Sequence, residues 1–190
     1  SLHGIVGLYG IGTATDELVR RAKAVADEHG VVLHQHEAYQ PASTRAKTER
    51  LGHTPIVHLD ELGVLDAAST LVHMNTLSDE DVDLVVQSGC SVVWCPGHYL
   101  TMGLAGTVEC RMPELIHRGV KVALGSDSAR DAAMGDEALC AHLVAANAHQ
   151  PLAPETILEL QTINAVRSAG LEGITGGLEV GKRADLVVAK

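Results

Sequence analysis

The fold is decided by the stretch TLVHMNTLSDEDVDLVVQSGCSVVWCP, residues 70–96. It begins with a short apolar run, continues into an amphipathic segment and ends with a second apolar run, CSVVW. Ser78 lies three residues before Asp81 where the amphipathic segment starts, which is the capping-box pattern that begins a helix. A strand, a helix and a second strand in this order form a βαβ unit, and such units build a parallel sheet.

The same alternation extends from this unit in both directions. The other predicted elements are a helix over Thr15–His29, a strand at 31–33, a helix around 113–119, a strand at 120–124, and helices after Asp136 and over 154–170. Short β-branched runs that alternate with longer amphipathic segments are typical of α/β proteins with a parallel sheet. We therefore predict an α/β fold.

Composition and charge exclude several classes of function. The chain has 14 Lys and Arg against 24 Asp and Glu, a formal net charge of −10, so it cannot present the large basic face that nucleic-acid binding requires. Its apolar runs are far shorter than the roughly 18 residues of a membrane span. The 4 cysteines have no framework spacing, which favours reduced thiols and a cytoplasmic location.

Polar side chains that can bind metals or transfer protons follow the predicted strands. His34 follows the strand at 31–33, His73 follows the run at 70–72, and Asp127 comes shortly after the strand that ends at Leu124. The carboxyl ends of parallel strands meet at one edge, where α/β proteins bind their ligands. Imidazole and carboxylate are ligands that zinc prefers, so this edge is a candidate metal or acid-base site.

The segment VVLHQHEAY allows two interpretations. His34 and His36 lie on one side of an extended chain and could hold a metal together. Alternatively, His34 is the ligand and Glu37, at the turn out of the strand, carries protons; we favour this second interpretation. His98 and Tyr99 lie in the loop after another strand and are candidates for lining a substrate pocket.

Taken in order, these segments resemble the metal-dependent amidohydrolase superfamily, in particular its cytosine-deaminase-like and triazine-chlorohydrolase-like branch. The segments that carry the resemblance are LHQHEAY, LVHMN, SVVWCP, GVKVALGSDS, TINAVRSAGL and GGLEVGKRADLVV. The resemblance implies a distorted (β/α)8 TIM-like barrel, and a complete barrel takes about 250 residues. We therefore expect a C-terminal portion of a longer protein: residues 1–172 as the late barrel units and 173–190 as the start of a returning β-sandwich strand.

The resemblance also implies roles for individual residues. His34 resembles the metal ligand after the fifth barrel strand, and Glu37 resembles the acid-base carboxylate of a His-x-x-Glu motif. His73 resembles the histidine that polarises the reacting group. Asp127 resembles the carboxylate that touches the metal and takes a proton from water. The chain departs from the family pattern in two ways: His98 and Tyr99 replace a Ser-Asn pair, and the usual His-x-His pair would lie upstream of these residues.

Together these observations predict a hydrolase with one divalent metal ion, zinc or else iron, that attacks a small nitrogen heterocycle. Hydrolytic deamination of an aminopurine, aminopyrimidine or aminotriazine is the favoured reaction. Ring-opening hydrolysis of a cyclic amide uses the same groups and is the nearest alternative. A noncatalytic barrel fragment that lacks the His-x-His ligands is the alternative from another class. We also expect a homo-oligomer without nucleic-acid or membrane partners.

Overall fold

A computed structural model describes residues 3–127 and 134–188 and shows one parallel sheet in this part of the chain. The strands lie side by side in chain order and are β1 (Val6–Leu8), β2 (Leu33–Glu37), β3 (Ser69–His73), β4 (Ser91–Trp94) and β5 (Lys121–Leu124). Every neighbouring pair is parallel. The predicted α/β class is confirmed, and all carboxyl ends lie at one edge of the sheet.

Helices connect the strands and continue beyond the last one. They are α1 (Asp16–His29), α2 (Pro41–Leu51), α3 (Pro55–Glu61), α4 (Asp79–Ser88), α5 (Pro96–Thr101), α6 (Met112–His117), α7 (Met134–Asn147), α8 (Pro154–Gln161) and α9 (Ile163–Ser168). Among the described residues, no helix is both long enough and apolar enough to cross a membrane.

The core is aliphatic and centres on β3, whose five residues are all buried. Val82 and Val85 of α4 and Leu115 of α6 are fully buried, as is Trp94 at the end of β4. The carboxyl ends of β2 and β3, which pair with each other, are therefore supported by a closely packed core. Such a core holds the side chains at the carboxyl edge in defined positions.

The strand β2 differs from its predicted position and extends from Leu33 to Glu37. The apolar pair before it belongs to the turn out of α1, because the Val31 N–H donates to the Ala26 carbonyl. Pairing with β3 starts where the Leu33 N–H donates to the carbonyl of Ala68 at 2.9 Å. His34 therefore lies inside the strand, and His36 and Glu37 are at its carboxyl end.

The last described segment, 171–188, contains no assigned helix or strand. Val180, Val187 and Val188 are fully exposed there. An extended segment becomes a strand by hydrogen bonding to a neighbour, and the described residues offer this segment none. The division of the chain at residue 173 remains a prediction.

The start of α4 confirms the predicted capping box. The Ser78 hydroxyl accepts from the Asp81 N–H, and the Asp81 carboxylate accepts from the Ser78 N–H at 2.8 Å. The same buried carboxylate also accepts a hydrogen bond from the Thr54 hydroxyl, which itself caps α3. One carboxylate thus joins the starts of two neighbouring helices.

We expect Asp81→Ala to lower the free energy of unfolding by about 1–3 kcal/mol, because it leaves the Ser78 N–H and the Thr54 hydroxyl without their acceptor. Glu80→Ala is the matched control, since Glu80 is an exposed acid in the same helical turn. Urea unfolding followed by circular dichroism measures both. Equal losses in the two variants would show that Asp81 contributes only its charge.

Candidate active site

The carboxyl edge of the sheet brings together His36, His73 and Asp127. One ligand atom from each residue lies within 4.8 Å of the other two. All three line a cavity of about 730 Å³, whose wall also includes His98 and Tyr39. Side chains from the ends of three different strands therefore converge on one cavity, as the strand-end pattern predicted.

The extent of β2 decides which of its two histidines belongs to this group. Leu33, Gln35 and Glu37 are buried on one face, and His34 and His36 lie on the other. Within the part of the chain that the structure describes, His34 is not in the group and does not line the cavity, whereas His36 does both. The geometric group thus contains His36 and not the expected His34, because β2 ends four residues later than the apolar pattern indicated. The assignment of His34 as the metal ligand stays a prediction.

The backbone at the edge adopts left-handed conformations that non-glycine residues rarely take. The φ angles are +50° at Ala38, +77° at His73, +53° at Met74 and +50° at Asp127. Each costs of order 1–3 kcal/mol, and such strain clusters at functional sites. Two of these residues belong to the ligand group, so the strain aims these side chains into the cavity.

Hydrogen bonds hold the ends of β2 and β3 together despite this strain. The Met74 N–H donates to the Glu37 carbonyl at 3.1 Å, and the Asn75 N–H donates to the Ala38 carbonyl at 2.9 Å. The Asn75 side-chain amide also donates to the carbonyl of Tyr39. The two turns therefore move as one unit and fix His36 relative to His73.

His73 is available as a neutral ligand, and it packs against the second histidine of the group, His36. Their rings stack with centroids 5.1 Å apart, and His73 Nε2 lies 4.0 Å from an oxygen of Asp127. Burial lowers the pKa of His73 to about 4, with the Asp127 charge opposing the shift and His36 and His98 adding to it. The His73 imidazole is therefore uncharged near neutral pH and keeps a free lone pair.

This donor set fits a divalent metal ion. The buried Nδ1 atoms of His36 and His73 have no hydrogen-bond partner among the residues that the structure describes. Buried polar atoms are nearly always paired, so two orphaned imidazole nitrogens in one cavity need an explanation. Two imidazoles and a carboxylate are a ligand set typical of zinc.

A second polar chain leads from Asp127 across the cavity. His98 Nδ1 lies 3.3 Å from the Asp127 carboxylate, and His98 Nε2 lies 2.5 Å from the Tyr39 hydroxyl. Burial and the Asp127 charge raise the pKa of Tyr39, so its hydroxyl stays protonated. Because a carboxylate only accepts hydrogen bonds, we assign the tautomer of His98 that accepts from the Tyr39 hydroxyl at Nε2. The proton on the other ring nitrogen of His98 then faces Asp127. Tyr39, three residues after His36, was not among the predicted site residues.

Glu37 reaches the cavity wall but faces different partners. Its carboxylate accepts from the Ile11 N–H at 2.5 Å and from the Lys47 ammonium at 2.9 Å. Burial raises the pKa of Glu37, and these two donors oppose that rise. Gly10, with a φ of +120°, allows the loop after β1 to approach, since a Cβ there would lie 2.1 Å from the His36 carbonyl oxygen.

Tyr99 does not reach this cavity, unlike His98. It is buried, and its hydroxyl donates to the carbonyl of Val108 at 2.7 Å. The reason is that residues 96–101 form helix α5 rather than a loop. Adjacent residues of a helix point about 100° apart, and of this pair only His98 lines the cavity.

Comparison with known proteins is consistent with this geometry. The model of the amidohydrolase family matches residues 3–190. The chain belongs to the amidohydrolase family. It is 32% identical over 183 residues to the 5-methylthioadenosine/S-adenosylhomocysteine deaminase of Saccharophagus degradans, covering 92% of this chain and 40% of that protein. This amidohydrolase chain thus spans about 40% of the length of that relative.

Solved structures confirm the fold of this amidohydrolase chain. A zinc-bound adenosine deaminase from Xanthomonas campestris has a TM-score of 0.83 and 28% identity, covering 91% of this chain and 40% of that one. An atrazine chlorohydrolase from Arthrobacter aurescens, complexed with zinc and atraton, has a TM-score of 0.82 and 22% identity. The match covers 94% of this chain and 40% of that one. The second likeness shows the fold alone. The expectation of a partial (β/α)8 barrel of the metal-dependent hydrolase type is confirmed.

We expect His36→Ala to reduce zinc binding at this edge strongly, because it removes one of the three converging ligand atoms. His34→Ala is the matched control, since it lies on the same strand face two residues earlier. Zinc per chain, measured by mass spectrometry after equilibrium dialysis, compares the two. Loss of zinc in His34→Ala with retention in His36→Ala would restore His34 as the ligand.

Proposed function

We propose that the protein to which this chain belongs is a metal-dependent hydrolase that deaminates an amino-substituted nitrogen heterocycle. The observation that carries this proposal is the convergence of His36, His73 and Asp127 in one cavity at the carboxyl edge. The relative named as a methylthioadenosine deaminase supports an aminopurine nucleoside as the substrate class.

In this proposal His36 and Asp127 hold one zinc ion and His73 lies beside it. Bound zinc would lower the pKa of water toward neutrality, so that hydroxide is available as a nucleophile at working pH. The Asp127 carboxylate orients the attacking water and accepts its proton. The neutral His73 imidazole stabilises charge on the reacting group as the water oxygen bonds to the ring carbon.

His98 and Tyr39 act on Asp127 rather than on the water. The Tyr39 hydroxyl donates to His98, which keeps the remaining ring proton of His98 directed at the Asp127 carboxylate. This arrangement holds the orientation of the base and disperses its charge before the proton arrives. We therefore assign Tyr39 and His98 as positioning residues for Asp127.

The cavity wall suits a flat heterocycle. The chain has 4 residues with aromatic rings of Tyr or Trp, and two of them, Tyr9 and Tyr39, line this cavity. Aromatic faces stack on heterocyclic rings at low entropic cost. The ring nitrogen next to the reacting carbon takes a proton as the tetrahedral centre forms. Asp127 then returns the proton that it took from water to the amino group, which leaves as ammonia, and the hydroxyl proton passes to the group that protonated the ring.

Glu37 is our candidate for delivering that proton. Glu37 is among the residues that line the cavity and follows His36 directly in the sequence. The Lys47 ammonium touches the Glu37 carboxylate and can renew the proton between turnovers.

We further propose a cytoplasmic homo-oligomer. The described structure contains 4 free cysteines, three of them buried, which suits a reducing compartment. Leu139 and Leu143 of α7 are 57% and 53% exposed and lie four residues apart, so they form one apolar stripe. Light scattering tests this part: a monodisperse monomer of the complete protein would contradict it.

In the complete protein, we expect Asp127→Asn to lower kcat by roughly 10²–10⁴-fold or more, because it removes the proton acceptor. Ammonia release from adenosine, 5′-deoxyadenosine and 5′-methylthioadenosine measures the rate. Asp136→Asn on helix α7 is a control of the same chemistry away from the cavity. The proposed function fails if zinc-loaded protein releases no ammonia from any aminated heterocycle, or if Asp127→Asn retains the parent rate.

Glu37→Gln and Tyr39→Phe separate proton delivery from positioning. We expect Glu37→Gln to reduce kcat with its zinc content unchanged, since Glu37 is not in the ligand group. Tyr39→Phe keeps the ring that lines the cavity and removes only the hydrogen bond to His98, so we expect a smaller loss of kcat. A larger loss in Tyr39→Phe than in Glu37→Gln would transfer proton delivery to Tyr39.

A further inference from the structure

A second group of metal-ligating side chains lies around helix α3. His53, His58 and Glu61 each contribute one ligand atom, and these atoms lie within 4.8 Å of one another. None of the three is among the described residues that line the 730 Å³ cavity. The proposed deaminase chemistry uses none of them.

The distances within this group match those between zinc ligands. His53 Nε2 lies 3.1 Å from His58 Nδ1 and 3.4 Å from the Glu61 carboxylate. Bonds of about 2.0–2.1 Å in a tetrahedral zinc site place neighbouring ligand atoms roughly 3.4 Å apart. The three side chains therefore already stand at ligand spacing.

Asp16 fixes the tautomer of His58 in the form that a metal requires. His58 Nε2 lies 2.9 Å from Asp16 Oδ1. The hydrogen bond from His58 holds the pKa of Asp16 below its usual range, so Asp16 is an anion that only accepts. A carboxylate accepts hydrogen bonds, so the contact is made by a proton on His58 Nε2, and in the neutral imidazole the lone pair is then on Nδ1, which lies 3.1 Å from His53 Nε2. A carboxylate behind an imidazole ligand is the usual outer partner in zinc sites.

The backbone around the group is rigid. Thr54, directly after His53, caps α3 and donates to the buried Asp81. Ile56 and Leu59 anchor the helix in the core, with 0% and 1% exposure. His58 and Glu61 are three residues apart on one helix and so share a face. A site held this way needs little rearrangement to bind an ion.

We propose that His53, His58 and Glu61 bind a divalent transition-metal ion, with Zn²⁺ the best fit, and that Asp16 orients His58. The ion joins the loop before α3 to the helix and, through Asp16, to the start of α1. Its fourth ligand is water, because Glu61 and His53 are accessible to solvent. On binding, the Nε2 proton of His53 exchanges with solvent for a proton on Nδ1, which frees the Nε2 lone pair for the ion.

Zinc stoichiometry tests the proposal directly. Equilibrium dialysis against ZnCl₂ compares the parent chain with a His53→Gln/His58→Gln variant and with His117→Gln, an exposed histidine on α6. We expect the double variant to bind one equivalent less than the parent and His117→Gln to match the parent. The same difference is expected in a His36→Ala background, so the result does not depend on the cavity site.

Two further variants test whether the loss of zinc binding in the double variant comes from a folding defect. Asp16→Asn should weaken zinc binding at this site by about 10–100-fold, since it removes only the outer partner. Glu61→Gln, whose side chain is 57% exposed, should weaken binding at least as much. Metal-free melting temperatures should stay near the parent value, and in the His36→Ala background zinc should raise the melting temperature of the parent and of His117→Gln by more than that of the variants at His53, His58, Glu61 and Asp16. Equal zinc binding by the parent and the double variant would overturn the proposal and leave a plain histidine–histidine hydrogen bond.

Discussion

The pairing of β2 with β3 is the constraint on which the candidate active site depends. Leu33 is opposite Ser69, and Glu37 is opposite His73, so the last residues of both strands reach the same edge. Side chains alternate along a strand, and a slip of one residue would turn His36 toward the helices and Glu37 into the ligand group. The register also sets where the turns after both strands begin to hydrogen bond to each other.

Much of the fold could be predicted because local signals coincided with it. Thr15 and Ser78 cap α1 and α4, so side-chain chemistry marked both helix starts to within one residue. The strand β1 could not be predicted, since three residues with a glycine among them carry little apolar pattern. The helix α2 was missed for a related reason: none of its residues is buried, so it has no apolar stripe to show.

The location of the site was predicted, and one member of the converging group differs from the expectation: His36 stands there instead of His34, whose role as metal ligand stays a prediction. His73 and Asp127 lie at or just after the ends of apolar strands, where the end of the hydrophobic run in the sequence marks the end of the strand. The polar residues of β2 form a strand because two neighbours supply its hydrogen bonds, which a local apolar pattern cannot reveal. Because side chains alternate along a strand, His34 and His36 lie on the same face. Only the position at which the strand ends distinguishes them. Tyr99 failed as a pocket residue because the short helix α5 turns it away from His98.

The close approach at Gly10 sets a limit on how this protein can vary. With a left-handed φ and the His36 carbonyl oxygen within 2.1 Å of any added carbon, position 10 accommodates hydrogen and nothing larger. The loop after β1 also supplies the Ile11 N–H that holds the Glu37 carboxylate. A side chain at residue 10 would therefore displace residues 36 and 37. This glycine is thus required for the geometry of the site, although it has no functional group of its own.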